Sequence, residues 1–164
     1  RSGYLLFHHR FAILLKLYIF TFLWSISPLG EAKVGIPFGL LKDLNPYMVL
    51  IVAIAANIMV YPLMIFFLNS MNGFLAKVLW YKKSAIWVAK RAKKGSKENL
   101  RKYGYFGLAL FVMVPLPGTG VYAGTIAAYL FKMDYKKAFL ANAIGITLSS
   151  LIVWSITLFG QGLM

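Results

Sequence analysis

The chain of 164 residues is expected to be an all-α integral membrane protein. It reads as an inverted repeat of a re-entrant helical hairpin plus a transmembrane helix, preceded by one further N-terminal transmembrane helix. Three observations predict this. Sixty per cent of the residues are hydrophobic, 13% are charged, and the mean hydropathy is +0.72. Soluble domains average about 45–50% apolar and about 25% charged residues, and no soluble core of this length hides so much apolar surface. The apolar residues fall in uncharged stretches long enough to cross a bilayer core, for which a helix needs about 20 residues. The 18 Lys and Arg against 4 Asp and Glu are clustered rather than dispersed, which orients the chain in a membrane.

The first element is expected over 4–28, apolar except for Lys16, whose long stem can carry its ammonium toward a headgroup. The same stretch also fits, less well, a secretory leader with His8, His9 and Arg10 as its basic start. Residues 31–45 are apolar, too short to cross, and carry Gly35, Pro37 and Gly39, so they are expected to form a first re-entrant hairpin. A second spanning helix is expected over 46–69, since residues 47–68 carry no charge; Pro62 is expected to kink it. Residues 70–102 form a basic amphipathic segment. Ten of the 18 cations lie between 77 and 102, opposed by Glu98 alone. This segment reads either as a solvated cytoplasmic loop or as a helix on anionic lipid with Trp80, Tyr81 and Trp87 at the interface. Both readings put residues 77–102 and the N-terminus in the cytoplasm and the C-terminus outside, in a multi-pass protein of the cell membrane.

Residues 103–131 are the longest uncharged span, 29 residues, with Pro115, Pro117, Gly118 and Gly120 in the middle. These residues cannot continue a helix. A full crossing would put Lys132, Lys136 and Lys137 outside, whereas a turn keeps them with the other cations. A second re-entrant hairpin with its tip near 117–120 is therefore expected. Irregular backbone at membrane depth must be buried in protein or face a wet cavity. A third spanning helix over 136–162 completes the chain. The two hairpins, each followed by a helix with one asparagine, Asn57 or Asn142, suggest the inverted repeat. In transporters such a repeat places the substrate where the broken segments meet.

The site residues follow. Pro117, Gly118, Thr119 and Gly120 form a tip whose amides and hydroxyl suit an anion, with Arg101 and Lys102 to hold it; the alternative is a turn that needs a permissive backbone. Gly39, Asn57 and Asn142 are candidates to line the same path, although the two amides could equally link helices. Glu31, Asp134 and Asp43 are the proton-coupling candidates, because ionisable groups within membrane segments are functional by default. The alternative for Glu31 is a pair with Lys33. Ala141, Gly145 and Ser149 recur every fourth residue as a packing face. The chain has no cysteine, and its two adjacent histidines offer no zinc set, so no metal or other cofactor is expected. No nucleophile triad or pair of carboxylates marks an enzyme, and nucleic acid is not the expected partner of the basic run.

Glu31 with Gly35-Ile36-Pro37-Phe38-Gly39, then Arg101-Lys102-Tyr103-Gly104-Tyr105-Phe106-Gly107-Leu108, then Pro115-Leu116-Pro117-Gly118-Thr119-Gly120, resembles the small multi-drug export protein family. That family looks like a distant relative of the DedA membrane proteins. The resemblance covers residues 31–160. Lys33-Val34 departs from it, since Arg-Gly-Ala-like residues are expected before Ile36-Pro37. The resemblance implies opposed re-entrant hairpins, a homodimer, and movement of a polyprenyl-phosphate carrier lipid. Three functions stay open: a translocase for such an amphipathic anion among membrane lipids with anionic headgroups, an exporter of small cationic drugs, and a membrane scaffold that transports nothing.

Overall fold

The computed structural model describes residues 2–71, 97–115 and 120–162, with the backbone alone for 2–7 and 97–103. The described residues form six helices and no strand. They are α1 (Ser2–Ile26), α2 (Glu31–Leu41), α3 (Pro46–Ser70), α4 (Lys97–Met113), α5 (Val121–Leu130) and α6 (Tyr135–Gly162). Three of them are long and apolar enough to cross a membrane: α1 over His8–Ile26, α3 and α6. Two shorter apolar helices are Gly104–Met113 within α4 and α5. Large apolar side chains such as Phe11, Ile51, Phe66, Ile144, Ile156 and Phe159 are exposed along the long helices, as lipid-facing surfaces require. The basic segment lies outside the described residues from 72 to 96.

The chain divides into two compact units: Arg1–Asn57 with Ser150–Met164, and Ile58–Ser149. In the first, α1 ends at a tight turn in which the Ser27 carbonyl accepts from the Gly30 and Glu31 amides (3.2 and 3.0 Å). The chain then doubles back. Gly35 packs against Ser25 and Gly39 against Thr21, so α2 runs antiparallel to α1. At 1.5 Å per residue, eleven residues reach about 16 Å, half of a bilayer core. The segment expected to be a broken hairpin is thus a single helix with Pro37 inside it. Proline removes one helical hydrogen bond. The helix survives because Ala32, Ile36 and Leu40, spaced by four, are buried in one core with Leu44, Val49 and Ala53. Its glycines are contact points rather than breaks: a methyl added at Gly39 would lie 2.8 Å from Val49 Cγ2. Leu17, Tyr18, Val153 and Trp154 close over that core. Trp154 Nε1 donates to the Pro46 carbonyl at 2.9 Å.

In the second unit, α4 stops at Met113 and α5 starts at Val121, so the expected interruption of 103–131 is present. Tyr105 Oη accepts from the Asp134 amide at 3.0 Å. This sets the middle of α4 beside the corner that follows α5. Further along, Gly124 of α5 lies against Val112 of α4 and Asn142 of α6. The chain therefore folds back within this unit as well. Tyr61 is buried there; its hydroxyl donates to the Tyr135 carbonyl (3.4 Å) and its ring packs on Tyr135 and Phe139.

The two short helices and the corners after them share one register, 89 residues apart. The Leu44 amide donates to Gly39 O and the Met133 amide to Ala128 O. Asp43 and Lys132 both have positive φ (55° and 50°). Asn45 caps α3 through the Tyr47 and Met48 amides, and Asp134 caps α6 through the Lys137 amide. Burial repeats with the same offset: Ala32 and Val121, Gly35 and Gly124, Ile36 and Thr125, Val49 and Ala138, Ala53 and Asn142. The alignment expected from the Gly/Pro motifs is not the one these helices follow. Pro37 falls inside the first short helix, while the Pro/Gly cluster at 115–120 precedes the second. Asn142 corresponds to Ala53, not to Asn57.

Candidate functional site

The start of α2 carries the buried charge of the first unit. Glu31 has φ of 53°, a left-handed backbone that costs a side-chain-bearing residue about 1 kcal/mol relative to glycine. Its Oε2 lies 3.2 Å from Lys33 Nζ, and the two side chains are 12% and 16% exposed. The alternative weighed for Glu31, a pair with Lys33, is thus what the structure contains. Four residues on, Gly35 meets Ser25, whose Oγ is buried and has no hydrogen-bond partner among the described residues. Gly39, a candidate lining residue, is buried against Val49 and Thr21. Asn57 is buried; its Nδ2 donates to Ala53 O at 3.3 Å and its Oδ1 is unpartnered, as is Ser150 Oγ.

In the second unit, Gly120 is buried and caps α5 in an extended conformation, with no side-chain cap among the described residues. Pro117, Gly118 and Thr119 lie outside the described residues. Arg101 and Lys102 belong to the second turn of α4, about one turn before Tyr105, the α4 residue that meets Asp134. Asn142 donates to Ala138 O at 3.0 Å, and its Oδ1, without a hydrogen-bond partner among the described residues, faces Gly124. Asp43 and Asp134 are exposed at the two corners, and Asp134 acts there as the cap of α6.

Sequence reasoning passed over Ser25, Gly124, Ser150, Tyr61 and Tyr105. A signal existed for the first two. Thr21 and Ser25 are spaced by four on α1, and so are Gly35 and Gly39 on α2, which is the spacing of two small faces that can meet. Gly124 with Ala128 repeats it. No local signal marks Tyr61 or Tyr105, because each hydroxyl engages the backbone of a corner remote in sequence.

Three membrane-length helices, two short apolar helices and an apolar outer surface define a multi-pass helical membrane protein. Residues 31–152, most of the chain, match the family described as "Putative small multi-drug export protein", and the chain belongs to that family. Neither a curated protein nor a solved structure matches it. The family's description is that of an export protein, not an enzyme.

Proposed function

We propose that the protein moves an amphipathic anion across the membrane, and that its substrate is a polyprenyl-phosphate carrier lipid. The observation that carries this reading is the fold-back of α4 and α5. Two apolar helices, each too short to cross, turn at a Pro/Gly-rich link and are clasped at their open end by Tyr105 and Asp134. In this reading they form a re-entrant hairpin opening to the cytoplasm, where Arg101, Lys102, Lys132, Lys136 and Lys137 agree with the positive-inside rule. Helix α2, doubling back on α1, is its counterpart from the outside, and the shared register supports an inverted repeat. Residues 77–102 are then cytoplasmic and the C-terminus lies outside. In this reading the backbone amides at the start of α5 take the phosphate, and Gly118 and Thr119, adjacent in sequence, belong to the same site. The resemblance to DedA relatives adds the lipid class and a homodimeric working unit.

Purified protein tests the reading. A polyprenyl phosphate is expected to bind and to raise the melting temperature, and Thr119→Ala or Arg101→Ala to weaken binding. Absence of both binding and a thermal shift in the unmutated protein overturns it. The family description favours a second reading, export of small cationic drugs. Against it stands the charge of +14, which repels cations, and the neutralisation of the buried carboxylate Glu31 by Lys33. Unchanged drug resistance with Glu31→Gln would count further against it.

A further inference from the structure

We infer that Lys33 is an anion-binding side chain held closed by Glu31, and that a proton arriving on Glu31 releases it to a phosphate monoester headgroup. The inference rests on the translocase reading and adds to it a residue, a ligand group and a coupling.

Three observations support it. A buried ion pair is poor scaffolding, since desolvation of both charges offsets most of their attraction. Yet Glu31 and Lys33 are paired at 3.2 Å and nearly buried. Second, Glu31 occupies a left-handed backbone position that glycine would take without strain. The equivalent position in the other unit, Gly120, is extended (φ −90°), so the shared register does not itself impose the left-handed conformation on Glu31. Keeping a carboxylate under strain points to a use for the side chain. Third, Gly35, on the same face of α2 one turn on, covers the Ser25 hydroxyl, a buried polar group without a partner among the described residues.

Among the described residues, the last two turns of α1, the start of α3 and the part of α6 in this unit carry no Asp, Glu, Lys, Arg or His. The last two turns of α1 bring Thr21 and Ser25 but nothing titratable. The part of α6 in this unit closes over the core with Val153, Trp154 and Leu158. Tyr18 of α1 packs on that same core, Tyr47 lies at the start of α3, and Lys42 and Asp43 stand at the far end of α2. With no ligand, Glu31 neutralises Lys33. When a solvent proton binds the carboxylate, the ammonium exchanges that partner for the incoming anion, and net charge in the site is conserved for a singly ionised phosphate. One proton enters with each anion, so affinity falls by up to about tenfold per pH unit wherever Glu31 is ionised in the empty protein.

The test measures binding of a polyprenyl phosphate in mixed micelles, and of inorganic phosphate as competitor, between pH 5 and 8. The variants are Glu31→Gln, Lys33→Arg and the double variant Glu31→Gln/Lys33→Gln, which removes both charges and so avoids an unpaired buried ion. The phosphate's own second ionisation, near pH 6, is common to all of them and cancels in the comparison. At pH 8, Glu31→Gln is expected to bind at least tenfold more tightly than the unmutated protein, and the gap should narrow as the pH falls. Lys33→Arg should keep the pH dependence, and the double variant should lose at least tenfold relative to Glu31→Gln. Competition by inorganic phosphate with the same variant pattern would assign recognition to the headgroup alone; the same pattern for the lipid without competition would assign it to headgroup and chain together. If the unmutated protein binds and Glu31→Gln has the same pH profile, or the double variant binds as well as Glu31→Gln, the inference is wrong and the translocase reading stands. If no variant binds either phosphate, both fall.

Discussion

The α2–α3 and α5–α6 regions share a register and differ in chemistry. Both carry a short helix, a corner with one left-handed residue and a polar cap, and a long helix. Around α2 the core is built from Ile36, Val49 and Ala53, and buried polarity is the Thr21 and Ser25 hydroxyls of α1 and one ion pair at the helix start. Around α5 the equivalent positions are Thr125, Ala138 and Asn142. The difference teaches that the shared geometry needs only small residues at the close approaches and a capped corner. What fills the remaining positions is free to diverge, and there the two regions differ in polarity.

The sharpest way to break the comparison is to unbalance the ion pair that only one region has. Lys33→Ala leaves Glu31 buried and unpaired and is expected to cost about 3 kcal/mol, seen as a lower melting temperature in detergent. The same measurement on Thr125→Ala should show a much smaller loss, since that hydroxyl donates only within its own helix, to Val121 O. Next come the close approaches both regions share. Gly35→Ala would push a methyl into Ser25, and Gly124→Ala into Asn142 and Val112. Each is expected to cost about 2 kcal/mol; a large loss in one and none in the other would break the common register. Asn45→Ala and Asp134→Ala remove the two caps and should each cost about 1 kcal/mol. The smallest effect is a gain. A methyl at Gly107 meets nothing within 4 Å, so Gly107→Ala should stabilise α4 by about 0.5–1 kcal/mol.

The long helices were legible because length and lack of charge are read directly: 46–69 was expected and Pro46–Ser70 is found. The interruption near Pro117 was legible because two prolines and two glycines leave helix no local support. The continuity of α2 was not. Pro37, Gly35 and Gly39 look like breakers in isolation, and only the neighbours that need glycine's small volume make them part of a helix. Glu31 and Asn142 could be nominated from the chain alone, but not Lys33's closeness to the first or Gly124's to the second. Those depend on how helices lie against each other, which spacing suggests and packing decides.

One consequence concerns biogenesis. The unit that holds α1 and α2 is completed by residues from Ser150 onward, with Trp154 joined to Pro46 across 108 positions of chain. As the polypeptide leaves the ribosome, that bundle must wait for the last helix to be inserted before its apolar seam is covered. Quality-control machinery that watches for unassembled membrane segments would therefore meet α1 and α2 in an unfinished state until α6 has been made.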